Sequence, residues 1–176
     1  MALADPAKHR QQELYWQQLV QLKAACEYVR RYRNRLALWE TRIGALRALA
    51  SSSAIAAWAV VQAHPLLWGG IIAAAQVADA LKDVFPLSAR RRSTSELVAV
   101  LDTMFIETLH EWESVRAGQL SDREIADRWL RLMQRRHEVE TKCLATTSLP
   151  ERRDLMMLAN ADAKAYLEPM ARGRRP

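Results

Sequence analysis

A chain of 176 residues with 26 Lys and Arg against 20 Asp and Glu carries a net charge of +6 and is long enough for a real core, in one domain or a compact pair of subdomains. Gly (5) and Pro (6) are scarce beside Ala, Leu, Arg and Glu, which speaks for helices, and a mean hydropathy of -0.22 excludes a multi-spanning membrane protein. The basic balance suits three partners: an anionic membrane surface, nucleic acid, or an acidic protein.

The first predicted element runs over 6–47. Tyr15, Leu22, Val29, Leu36 and Ile43 recur every seven residues, with Ala25, Tyr32, Trp39 and Leu46 three further on. That is an a/d stripe sustained over several heptads, and Leu22, Val29, Leu36 and Ile43 are expected to drive self-association. Arg30, Arg31, Arg33 and Arg35 occupy other faces and are expected to meet a membrane or nucleic acid. Membrane is the favoured partner, because these arginines do not share one face with Tyr28 and Tyr32.

A hydrophobic hairpin is predicted next, over 48–85. From Ala48 through Ala78 there is no Asp, Glu, Lys or Arg. One arm spans Ala48–Ala63 and the other Leu66–Val84, with His64-Pro65 between them, because a residue before proline is pushed out of the helical region. Arg42 and Arg47 precede the hairpin, and Lys82, Arg90, Arg91 and Arg92 follow it. Basic ends around an uncharged turn fit a membrane hairpin with both ends in the cytoplasm. Trp58 and Trp68 flank the turn, Gly69 and Gly70 permit close helix approach, and Ser52, Ser53 and Gln76 are polar groups suited to a wet path. Asp79 is the acid nearest the apolar arm. An Ala-rich elbow buried in a soluble bundle is the competing reading.

Beyond the hairpin, SARRRSTS (88–95) is read as a polar connector. A helical pattern follows from Glu96 and ends at Gly118. Ser121-Asp-Arg-Glu124 is a capping box opening the next helix, and Ser148-Leu-Pro-Glu151 has the same spacing before the last one. The predicted helices occupy 96–168, and 169–176 form a basic tail. Cys26 and Cys143 lie in separate helical patterns and read as reduced core thiols of a cytoplasmic body. The start, MALADPAKHRQQ, has no apolar run, so no cleavable signal peptide is expected.

Motifs for chemistry are sparse. Glu107-x-x-His110 has the spacing of a di-iron ligand pair but has no second copy, and His137-Glu138 lacks the second histidine of a helical zinc site. No Gly-rich phosphate loop or nucleophile elbow is present in the sequence. A non-enzymatic protein without cofactor or metal is expected.

The order of parts, with ALKDVFPLSARRR leaving the hairpin and EWESVRAGQLSDREIADRW in the helices beyond, resembles the SLATT superfamily of two-transmembrane proteins. That resemblance covers about Tyr15 to Tyr166 in architecture and texture. It implies an effector of a bacterial conflict system, a homo-oligomer that permeabilises the inner membrane, with a sensor or signalling enzyme as partner. The expectation is therefore an all-α single domain: a long amphipathic helix, a short-turn hydrophobic hairpin and about three C-terminal helices. A soluble helical adaptor binding acidic protein or nucleic acid is the alternative.

Overall fold

The computed structural model of the chain describes residues 6–56, 65–80, 87–145 and 148–172. Five helices make up the described fold: α1 (Pro6–Ala56), α2 (Pro65–Ala80), α3 (Leu87–Arg116), α4 (Asp122–Cys143) and α5 (Arg153–Arg172). Among the described residues there is no strand, so the chain is all-helical, with a long N-terminal helix and three helices after the hairpin. By contact the chain divides into two compact units: Met1–Tyr32 with Ser93–Pro176, and Arg33–Arg92.

In the first unit, α1 buries Tyr15, Leu19, Leu22, Cys26 and Val29, alternating steps of four and three that keep one stripe facing inward. Leu97, Leu101, Met104, Trp112 and Val115 of α3 form the matching stripe. From α5 come Leu155, Ala159, Ala163 and Leu167, one per turn, with alanine at the middle two positions. Helix α1 runs antiparallel to α3: Gln12 donates to the Val115 carbonyl (2.9 Å) and the Tyr15 hydroxyl to Glu111 (3.0 Å). Trp112 sits between Tyr15, stacked at 6.2 Å, and Trp16, tilted at 5.1 Å. Leu22 and Val29, expected to drive self-association, are buried within this one chain.

The helix ends follow local chemistry. Gly118 has φ 69°, and the Gly118 and Gln119 amides donate back to the Val115 and Ser114 carbonyls at 3.1 and 3.2 Å. This is a Schellman turn, for which glycine is suited because it has no Cβ to clash. Ser121 caps α4 as expected, with Glu124 accepting from the Ser121 amide at 2.8 Å.

Boundaries of α1, α3 and α5 differ from the sequence reading. SARRRSTS is helical, because α3 begins at Leu87. Its polarity suggested a loop, yet neither Ser nor Arg breaks a helix, and buried Thr94 falls one turn before Leu97 and Val98 on the inward face. Ser148 caps nothing: α5 begins at Arg153, with the Met156 amide donating to the Arg152 carbonyl. A helix started at Ser148 would place Leu149 in the helical region immediately before Pro150, which proline disfavours. Instead the Tyr28 hydroxyl donates to the Pro150 carbonyl and accepts from the Arg152 amide (3.2 Å), fixing this entry to α1. At the other end α5 continues through Pro169 to Arg172, into the expected tail.

The second unit contains the later part of α1, all of α2 and the start of α3. Helix α1 passes the expected end at 47 and reaches Ala56, since the Ala-rich sequence offers no breaker. Arg47 donates to the Ala78 carbonyl (3.3 Å), and Arg91 pairs with Glu40 (3.1 Å). Both contacts join positions before and after the predicted turn, so the chain doubles back. The point equidistant from Arg47 and Ala78 falls between Gln62 and Ala63, beside His64-Pro65 and outside the described residues.

The charge-free hairpin as candidate functional site

Arg47 and Ala78 bracket nearly the whole charge-free run, so their hydrogen bond marks the base of the hairpin. Ser52 and Ser53 belong to the α1 helix, Pro65 is the first residue of α2, and Trp68 and Asp79 lie within α2. Trp58 and His64 lie outside the described residues.

The surface of α2 is apolar and open. Leu66 is 91% exposed, Val77 57% and Ile72 43%, and Gly69, Gly70, Ala73, Ala74 and Gln76 are exposed beside them. Among the described side chains of α2, Ala75 is buried. A Cβ added at Gly69 or Gly70 would meet nothing within 4 Å, so neither glycine is required by packing inside this chain. Toward the base, Trp39 is exposed with the Arg42 guanidinium 5.7 Å from its ring centre, a cation–π pair on the surface. Leu36 is buried and Ile43 half-buried, so the lower stripe of α1 is largely covered as well.

Helix α2 has 16 residues and is about 24 Å long at 1.5 Å per residue, against a hydrocarbon core of about 30 Å. No helix among the described residues is long and apolar enough to cross a membrane.

The basic residues divide into two groups. Arg30 reaches both oxygens of Asp102 (2.9 and 3.0 Å) and also pairs with Glu27 (2.8 Å), while Arg31 grips Asp162. These two were expected to face a membrane or nucleic acid. They instead tie α1 to α3 and α1 to α5, inside the first unit. Arg33, Arg35, Arg90, Arg91 and Arg92 belong to the hairpin unit, where Arg33 donates to Asn34 and Arg91 pairs with Glu40.

The metal-like spacings serve other ends. Glu107 accepts from Arg135 of α4, and His110 and His137 are exposed. Among the described residues no three His, Cys, Asp or Glu side chains group to hold a metal ion.

Two features of the first unit had no sequence signal. Lys23 is only 7% exposed, pairs with Glu27 at 2.8 Å, and lies 4.3 Å from the Tyr166 ring centre and 5.0 Å from that of Phe105. This cation on aromatic faces joins three helices. The second is the Tyr28 hydroxyl bridge to the start of α5.

Comparison with family models, with curated proteins and with solved structures finds no match to this chain. The reading of function therefore rests on geometry and on the sequence.

Proposed function

We propose that this protein is a membrane-associated effector of a bacterial defence system. Its hairpin seats in the inner membrane with both termini in the cytoplasm, copies self-associate, and the assembly disrupts the membrane. The observation that carries this reading is the open apolar surface of α2 above a basic base. Transferring the exposed parts of Leu66, Ile72 and Val77 out of water is worth about 4 kcal/mol, taking about 2 kcal/mol per fully buried side chain. Each arginine held near an anionic surface adds up to about 1 kcal/mol, reduced where it is already paired within the chain. Those magnitudes suffice for surface binding. A helix of about 24 Å can then be accommodated by local thinning of the bilayer, at a fraction of a kcal/mol per ångström.

Self-association in this reading runs through the hairpin, since Leu22 and Val29 are interior. Gly69 and Gly70 leave the α2 backbone open to close approach by a neighbouring copy. The effector role and a sensor or signalling enzyme as partner are supported by the resemblance to the SLATT superfamily.

Fractionation of cells with an alkaline carbonate wash tests the membrane step. Wild type should remain with the membranes, and Ile72→Arg should be released, because a central arginine costs about 2.5–3.5 kcal/mol on insertion scales. Wild type recovered wholly in the soluble fraction without detergent would sink the proposal. It would favour the second reading, a soluble adaptor whose α2 face docks an acidic protein or nucleic acid. Given membrane retention, triggered expression should collapse membrane potential, and an unchanged potential would reject disruption while leaving the anchor.

A further inference from the structure

The first unit carries a half-open pocket of about 390 Å³ that the hairpin reading does not use. Its floor is apolar: Ala24, Ala25 and Val29 of α1, Leu97 and Leu101 of α3, and Ala159 of α5. Small side chains keep it hollow. Met156 lines one side, a flexible and polarizable group that adapts to varied shapes. The polar lining is sparse and specific. Arg136 donates through Nε to Glu140 at 2.8 Å, and its terminal nitrogens have no partner among the described residues. The amides of Gln21 and Asn160, both exposed residues of the lining, face the mouth with no protein partner among the described residues.

We propose that this cavity binds one neutral amphiphile: an apolar, ring-sized body with a single head that both donates and accepts hydrogen bonds, such as a hydroxyl or primary amide. The volume lies within the range of about 300–1,000 Å³ typical of small-molecule sites, and exceeds the roughly 150 Å³ that holds benzene. The head is neutral because Arg136 and Glu140 already balance each other. An anionic head would meet Glu140, and a cationic one Arg136. Gln21 and Asn160 each offer a carbonyl acceptor and an amide donor, matching a hydroxyl or amide. Small-molecule size also distinguishes this cavity from the long open face of α2.

Titration calorimetry on the full chain with three para-substituted biphenyls tests the proposal: para-phenylphenol, its carboxylate analogue and its aminomethyl analogue. The phenol should bind at one site, at least about tenfold more tightly than either charged analogue. Ala24→Phe fills the floor and should weaken the phenol by at least about tenfold, with helicity unchanged. Should that variant fail to fold, Met156→Trp, at an exposed position of α5, carries the same expectation. Asn160→Leu, also exposed, should weaken the phenol by about threefold to tenfold and leave binding of the charged analogues unaltered. No binding of any probe up to its solubility overturns the proposal, as does phenol binding indifferent to both cavity variants. Preference for a charged analogue overturns the assignment of a neutral ligand.

Discussion

Leu22→Ala separates an interior stripe from an oligomer seam. Leu22 is 1% exposed in the single chain, and its neighbours along α1, Leu19 and Cys26, are fully buried. Truncation removes three carbons from a covered site and leaves a hole that the helices close only in part. Comparable leucine truncations cost about 2.7–5.0 kcal/mol, so about 3 kcal/mol is expected here. For a chain of this size the urea slope is about 2–3 kcal/mol per molar, so the unfolding midpoint should fall by about 1 M. The assay is urea unfolding followed by far-ultraviolet circular dichroism, at protein concentrations of about 1 µM and about 50 µM. If Leu22 is interior, the loss is the same at both. If the stripe is instead a seam between copies, the wild-type midpoint rises with concentration, because association stabilises only the folded form. A concentration-dependent wild-type midpoint, with a Leu22→Ala deficit confined to the higher concentration, would refute the interior assignment.

Three further outcomes follow from other positions. Tyr28→Phe leaves the Pro150 carbonyl and the Arg152 amide without their shared partner, and should cost about 1–3 kcal/mol in the same unfolding assay; a loss indistinguishable from zero would mean that water replaces the hydroxyl freely. The Cys26 thiol is pushed up to about 12, first by burial and then by the Asp102 charge, so the folded state holds this proton more tightly than the unfolded state. Its contribution is present below the unfolded thiol value of about 8.5 and is lost as pH rises toward about 12. Wild type should therefore lose up to about 1.4 kcal/mol per pH unit relative to Cys26→Ala between about pH 9 and pH 10, and parallel pH profiles for the two proteins would contradict this account. Gly44 sits inside α1 with nothing within 4 Å of an added Cβ, so Gly44→Ala should stabilise by about 0.5–1 kcal/mol, and a destabilised variant would show that the site needs its glycine.

The sequence by itself determined what neighbouring residues decide. Heptad spacing marked α1, Gly118 marked the end of α3, and the Ser121–Glu124 box marked the start of α4; each reflects contacts within one or two turns. The uncharged run from Ala48 to Ala78 is likewise legible by inspection, and Arg47 and Ala78 meet where its borders suggest. Tertiary structure decided what depends on partners distant in sequence. Periodicity shows that Leu22 and Val29 share a face, but whether that face meets the same chain or another depends on where α3 and α5 fold back. Arg30 and Arg31 look like an open basic stripe until Asp102 and Asp162, 72 and 131 residues away, neutralise them. Lys23 reads as a surface lysine until Phe105 and Tyr166 close over it. Ser148 has the spacing of a cap, yet Pro150 opposes a helix there, and Tyr28 arrives from α1 to take the backbone groups instead. Local propensity sets which segments become helices, whereas burial and ion pairing are fixed only when the helices pack and exclude water from the surfaces between them.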